Sequence, residues 1–417
     1  MNLLEASLWD NFVEFVLKFL PGQSPIVWIL TLIVGFLLSE FWKFCRNTLI
    51  PACYRIYQAT WKLKRIQSAI APGGKGIWLA DKIPIEKPKD YDAFFSANNS
   101  KRIPIIVVAN LKGGVGKTTT AANLIAHYAN KKGETVLGID FDYQGSLSSM
   151  CLSDDNYAAE LEDQISGRPC RAASLLEGKG VEWLLNAPLE VNAVNRARLI
   201  PSFYSLASAE NRVMIGWLAG IKTSDVRYQL ASMLHDERIC SRFQRIIIDA
   251  PPRLTTASIQ ALCAATHVII PTVLDDLSAE AVGTFAQQLY LHREIWPNLR
   301  LIGALGTMTE KSALDSDGTL KAQPLSATEN SSVTAANDAL KSALGEAPAS
   351  LSNAKMLPVE CFTPDKTELS RAAGHQIAYA LAGNSPSLAA VRMSYDRLGD
   401  EIDTIIGWGA RAFATGK

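Results

Sequence analysis

The 417-residue chain is long enough for one large α/β domain with appendages, or for two or three domains. Its 48% hydrophobic and 20% charged residues supply a sizeable core and exclude global disorder. Basic and acidic residues balance at 41 each, which excludes attachment to nucleic acid or an anionic surface by bulk charge alone. The seven cysteines and five histidines are scattered, with no Cys-x-x-Cys pair. Such a set reads as reduced thiols without the short ligand spacing of a zinc or iron–sulfur site.

The first predicted element is amphipathic. Leu4, Leu8, Phe12, Phe15, Val16 and Phe19 fall at helical spacing, so residues 1–24 read as an interfacial helix turned at Pro21-Gly22. From Phe19 to Ser39 no residue is charged, and Ile26–Trp42 meets the lower limit of about 17 apolar residues for a bilayer span. Trp28 and Trp42 sit where indole rings favour headgroups, and residues 25–48 are predicted as a transmembrane helix. Residues 41–70 carry Lys43, Arg46, Arg55, Lys62, Lys64 and Arg65 and no acid, which places the remainder of the chain in the cytoplasm. A soluble helical hairpin buried against a partner is the competing reading. Residues 49–101 read as a basic juxtamembrane segment followed by a linker rich in Pro, Gly, Ser and Asn, with lipid contacts through residues 1–65.

A buried strand at Ile105–Ala109 leads into Lys112-Gly113-Gly114-Val115-Gly116-Lys117-Thr118-Thr119-Thr120, and an amphipathic helix follows. Strand, glycine turn and helix N-terminus make an anion cradle in which backbone N–H groups and the helix dipole face the same phosphates. Lys117 would reach the β- and γ-phosphates and Thr118 would offer a hydroxyl to Mg²⁺, with Gly113, Gly114, Val115, Gly116 and Thr119 lining the nucleotide. Further strands at Thr135–Ile139 and Ile246–Ile248 end in acids, Asp140 and Asp142 on the first and Asp249 on the second. Carboxylates at the carboxyl ends of strands beside a phosphate loop are where an open α/β sheet collects its chemistry. Helix Thr256–Ala265 and strands His267–Ile270, Leu199–Phe203 and Leu301–Thr307 complete an α/β reading: a mostly parallel twisted sheet flanked by helices, over residues 102–417.

The loop has Leu111 where an ordinary phosphate loop has glycine, and it begins with a second lysine, Lys112. This form resembles the deviant Walker A of the ParA/MinD family of ATPases, and Asp140-Phe141-Asp142-Tyr143-Gln144-Gly145 resembles that family's second motif with Tyr143 in place of proline. Ile246–Pro252 has the Walker B form. The resemblance covers about residues 103–408 and implies ATP hydrolysis with ATP and Mg²⁺. It assigns Lys112 to the partner's nucleotide across an ATP-dependent homodimer, Asp142 to the attacking water, and Asp140 with Thr118 and Asp249 to the metal. Met308 and Pro364, with the stretch from Glu368 to His375, fall where the family places adenine. Residues 149–195 and 310–354 look inserted, the first as a docking element and the second as a flexible loop.

The resemblance leaves the biological task open. The favoured expectation is a single-pass, membrane-anchored ATPase switch on the cytoplasmic face of the bacterial inner membrane. It would recruit, position or gate a partner that stimulates hydrolysis, and tethering would favour a weak dimer by raising local concentration. A second expectation is a DNA-partition ATPase, with Arg371, Arg392 or Arg397 on nonspecific DNA. Seven basic and four acidic residues precede residue 71, so 34 and 37 remain beyond it, a balance that does not favour DNA. A third is an ATPase like the tyrosine kinases of polysaccharide export, but Trp408–Lys417 carries no tyrosine.

Overall fold

The computed structural model describes residues 24–71, 76–96, 102–222, 224–365, 376–383 and 385–408, together with Glu14, Lys18 and Leu369. Most of the amphipathic helix expected over residues 1–24, and most of the stretch from Glu368 to His375, lie outside the described residues. The chain divides into two compact units, Met1–Gly74 and Lys75–Lys417.

In the first unit, helix Pro25–Phe44 continues through a π-helical turn, Cys45–Leu49, into helix Ile50–Ile70. Pro51 explains the turn: it has no N–H for the carbonyl four residues back and its ring crowds that carbonyl, so the ladder widens locally. The Ile50 N–H accordingly bonds the Cys45 carbonyl, five residues earlier. Pro25–Ile70 is long and apolar enough, by length and composition, to cross a membrane. Ile26, Leu30, Phe36, Leu37 and Phe41 are exposed along it, and Glu40, the acid near the end of the apolar stretch, pairs with Lys43 at 2.7 Å.

The second unit is built on an eight-stranded sheet of order β3-β4-β2-β5-β1-β6-β7-β8. The strands are β1 Ile105–Val108, β2 Val136–Asp140, β3 Leu189–Val191, β4 Val194–Ile200, β5 Arg245–Asp249, β6 His267–Val273, β7 Arg300–Thr309 and β8 Thr363–Pro364. All pairings are parallel except β3 with β4. β1, β2 and β5 are buried throughout, as continuous Ile/Val/Leu runs require when helices cover both faces of a parallel sheet. The chain leaves β1 toward β2 and β4, returns at β5, and then passes to β6 on β1's other side. The crevice beyond the carboxyl ends of β1 and β5 is therefore the switch point at which such sheets bind ligands.

Three sequence expectations change here. Residues 76–96 were composed like a linker, yet they form a packed arm with Trp78, Ala80, Ile83, Tyr91 and Phe95 buried. The aromatic side chains outweigh the turn-forming residues around them. Within 310–354, the expected flexible loop contains helix Ala327–Leu344, with a capping box between Ser326 and Glu329 and with Ala336, Leu340 and Leu344 buried. Residues 149–195 hold helices Asp154–Ile165, Arg171–Leu176 and Val181–Asn186, and β3; β4 begins five residues before the expected strand start at Leu199.

Helix Pro386–Ile406 closes the unit over the phosphate-loop helix Lys117–Asn130. His127 Nδ1 meets Asp396 at 2.8 Å, and the Tyr128 hydroxyl donates to the Gly399 carbonyl at 3.3 Å. Below the sheet the fully buried Arg245 guanidinium is held by Glu134 at 2.7 Å and Asp403 at 2.9 Å and lies 3.6 Å from the Tyr128 ring centre. A buried cation is tolerable only with such opposite charges in place.

Candidate nucleotide site

The phosphate loop joins β1 to helix Lys117–Asn130. Gly114 and Gly116 adopt φ of +72° and +76°, the left-handed region that glycine enters without strain. The loop is pinned from outside: the Asn110 side chain donates to the Pro271 carbonyl at 2.8 Å, and the Thr307 hydroxyl to the Val115 carbonyl at 3.1 Å. Gly116 occupies the helix N-cap and offers no side chain to the first amides, which leaves those N–H groups for an anion. The Lys117 ammonium is buried and donates to the Lys112 carbonyl at 2.9 Å. Burial lowers its pKa against the opposing pull of Asp249 and Asp142.

Asp140 and Asp249 are register partners on β2 and β5. Asp140 is fully buried and both of its oxygens are engaged. Oδ2 accepts from the Ser148 amide at 2.9 Å and the Ser148 hydroxyl at 2.7 Å, and Oδ1 accepts from the Asp142 amide at 3.0 Å. Its geometry braces the Asp142 turn. Asp249 differs. Both of its oxygens are buried without an aligned hydrogen-bond partner among the described residues. Burial raises its pKa well above the ordinary carboxylate value, the Asp140 charge adds to that, and the Thr118 hydroxyl and Lys117 oppose it. A buried carboxylate in that condition calls for a cation.

Asp142 is half-buried, with Oδ1 accepting from the Gln144 amide at 3.0 Å. Gly145 turns the chain at φ +66°, and a Cβ there would stand 2.6 Å from the Ser202 carbonyl oxygen. Lys112 reaches the N-cap of helix Asp276–Leu291: its ammonium donates to Ser278 Oγ at 2.6 Å and Asp275 Oδ1 at 3.2 Å. The Asp275 carboxyl sits below its ordinary value: burial opposes that shift, and hydrogen bonds from Ser278 and then Lys112 outweigh it. Met308 and Pro364 come together with Gly116, Thr119, Thr363 and Tyr395 around a cavity of about 100 Å³ beside the loop.

Several contributors were not singled out from sequence. Asn110 and Thr307 are recognisable only through contacts to distant strands. Asp275 carried a local signal, since Asp275-x-x-Ser278 before a helix is an N-cap pattern. Glu210, on helix Ser205–Leu218, accepts from the Ala257 amide at 3.1 Å, at the start of the helix after Asp249.

Residues 103–300 match the family model described as an AAA domain. The chain is 34% identical over 213 residues to the chromosome-partitioning ATPase Soj of Thermus thermophilus, covering 50% of this chain and 71% of that one. It is 29% identical over 211 residues to the chromosome partitioning protein ParA of Myxococcus xanthus, covering 50% and 66%. Among solved structures, an ATP complex of a Cyanothece McdA variant superposes with a TM-score of 0.50 at 18% identity, over 73% of this chain and 96% of that one, a likeness of fold. Motifs, sheet order and relatives agree: the chain belongs to the ParA/Soj family of P-loop ATPases.

Proposed function

We propose that this protein is a membrane-anchored ATPase switch. ATP joins two copies through the face carrying Lys112, hydrolysis releases them, and the cycle recruits, positions or gates a protein partner at the cytoplasmic face of the bacterial inner membrane. The observation that carries this reading is the presence, in one chain, of a lysine-first phosphate loop and the apolar helix Pro25–Phe44.

The amides of residues 113–119 and the Lys117 ammonium bind the triphosphate, and Met308 and Pro364 flank the adenine. Asp249 and the Thr118 hydroxyl fit Mg²⁺, because the Asp249 oxygens lie in a buried, acidic corner with the Thr118 hydroxyl beside them. When bound, the ion would neutralise charge on the phosphate oxygens. Asp142 holds a water by accepting its proton and aims its oxygen at the γ-phosphorus. Attack there breaks the bond to the ADP oxygen. Asp140 keeps the Asp142 turn in place. Lys112, paired with Asp275 in the single chain, would exchange that carboxylate for the phosphates of the second copy, which makes hydrolysis depend on pairing.

The DNA-partition reading draws support from the printed names of the relatives. The surface offers it less. Arg392 donates to the carbonyls of Tyr379, Leu381 and Gly383, and Arg397 to that of Gly318. The discriminating experiment uses the full chain in lipid nanodiscs. With Mg²⁺ and a non-hydrolysable ATP analogue, the parent should pair, Lys112→Ala should bind nucleotide without pairing, and Lys117→Ala should bind none. Retention of ATP affinity by Lys117→Ala would refute the loop assignment. Salt-sensitive, ATP-dependent retention of random-sequence DNA would transfer the conclusion to the partition reading.

A further inference from the structure

Nothing in nucleotide binding requires the arm 76–96, yet the arm grips both ends of the segment that follows Asp249. At the near end, the Trp78 indole N–H donates to the Leu254 carbonyl at 3.4 Å, five residues after Asp249. At the far end, the Tyr91 hydroxyl donates to the Cys263 carbonyl at 2.7 Å, on the last turn of helix Thr256–Ala264.

The arm itself is fixed by a wholly buried guanidinium. Arg227 pairs with Asp225 at 2.6 Å and donates to the carbonyls of Trp78 at 2.6 Å and Pro84 at 2.7 Å. The Glu86 amide donates to the same Asp225 carboxylate at 3.1 Å. Arg227 lies 4.9 Å from the Trp217 ring centre, and Trp217 stacks on Trp78 at 5.7 Å with 17° between the planes. Trp217 stands two helical turns after Glu210, the residue bonded to Ala257. Loop, arm and helix Ser205–Leu218 thus form a closed triangle. Two of its corners are held by side chains of one helix, and the third is Trp78 on Leu254.

Packed assemblies of this kind have discrete arrangements and do not deform continuously. In nucleotide switches the loops held by the γ-phosphate and its Mg²⁺ are the ones that rearrange on hydrolysis, and Ala250–Thr255 directly follows Asp249, to which the reading above gives that ion. We infer that the arm 76–96 is a positioning element for hydrolysis: it sets the resting place of Ala250–Thr255, and through it of Asp249, and it shifts when the nucleotide changes. Trp78 is a positioning residue in this scheme, acting through Leu254. The inference rests on the ATPase reading above.

Hydrogen–deuterium exchange on the full chain in detergent micelles tests it, comparing the nucleotide-free protein with protein saturated by Mg²⁺ and AMP-PNP. Peptides spanning 76–96 should change their exchange rate at least threefold. Binding of a fluorescent ATP analogue is measured on the same sample. Binding with an unchanged arm overturns this inference alone, whereas no binding overturns the ATPase reading and the inference with it. A second arm uses turnover at saturating ATP. Trp78→Ala should change kcat at least fivefold with nucleotide affinity within twofold of the parent, and Trp78→Phe, which keeps a ring against Trp217, should restore most of the difference. A lowered melting point with unchanged kcat per folded molecule would show a structural strap and overturn the assignment. If Trp78→Ala does not fold, the exchange measurement on the parent decides.

Discussion

At Gly399 an added methyl group would overlap the imidazole of His127. That ring is fully buried and fixed by Asp396 and the Tyr379 hydroxyl, so it has nowhere to go. Gly399→Ala should therefore cost about 1–3 kcal/mol of stability, the range of an overpacked core. Urea titration of the full chain in detergent would show it, and an unchanged midpoint would mean the two helices do not meet this closely. Asp142→Ala should bind ATP and accumulate as the paired form without turnover; normal phosphate release would remove Asp142 from the mechanism. These two residues also differ in how readable they were. Asp142 stands in a local motif beside a strand end, where spacing alone points to chemistry. The His127–Asp396 pair joins residues 269 apart in the chain, and no periodicity reports a partner at that distance.

Among the elements, helix Ala327–Leu344 and the arm show where composition misleads. Ser, Ala, Thr and Asn suggested a flexible loop over the helix, although Ser326 and Glu329 already formed a capping box and Ala336, Leu340 and Leu344 kept four-residue spacing. The phosphate loop was legible because its glycines and lysines are consecutive. His235, which caps the C-terminus of helix Gln229–Leu234, supports a different test. Its Nε2 lies 2.8 Å from the Ala264 carbonyl, and its ring stacks on Phe94 of the arm. Burial lowers its pKa from 6.5 to about 4, and the nearby Arg102 pushes the same way against the carbonyl. Between those pH values the unfolded chain binds more protons, so this residue's contribution is complete above pH 6.5 and fades as pH falls toward 4. Asp249, raised by burial, acts in the opposite sense, so the comparison must be between variants. The stability deficit of His235→Gln at pH 7 should shrink by about 2–3 kcal/mol by pH 4.5. A deficit independent of pH would mean that this imidazole is not kept neutral.

For the whole molecule, the division at Gly74 and Lys75 separates the apolar helix from the ATPase. Deleting residues 1–74 should release a protein that stays in the soluble fraction and still binds ATP, while the full chain floats with liposomes. Recovery of the shortened protein with membranes would show that attachment lies elsewhere. The central strands and the two that end in acids could be read from sequence because each is a compact apolar run, whereas the short edge strands β3 and β8 carry no such run. The start of the unit could not, since the arm 76–96 is fixed to it by contacts with residues far away in the chain.

Arg245 makes that last point consequential. The family match ends at residue 300, but one of the two carboxylates that neutralise this guanidinium is Asp403. The Trp408 indole N–H donates to the other, Glu134, at 3.1 Å. A fragment trimmed to the matched region would leave Arg245 with Glu134 alone, strip the Asp396 partner from His127 and uncover the phosphate-loop helix. Anyone expressing this ATPase in pieces must carry the C-terminal hundred or so residues along, because the minimum that can fold is set by what covers the buried Arg245, His127 and Tyr128 side chains and not by where homology fades.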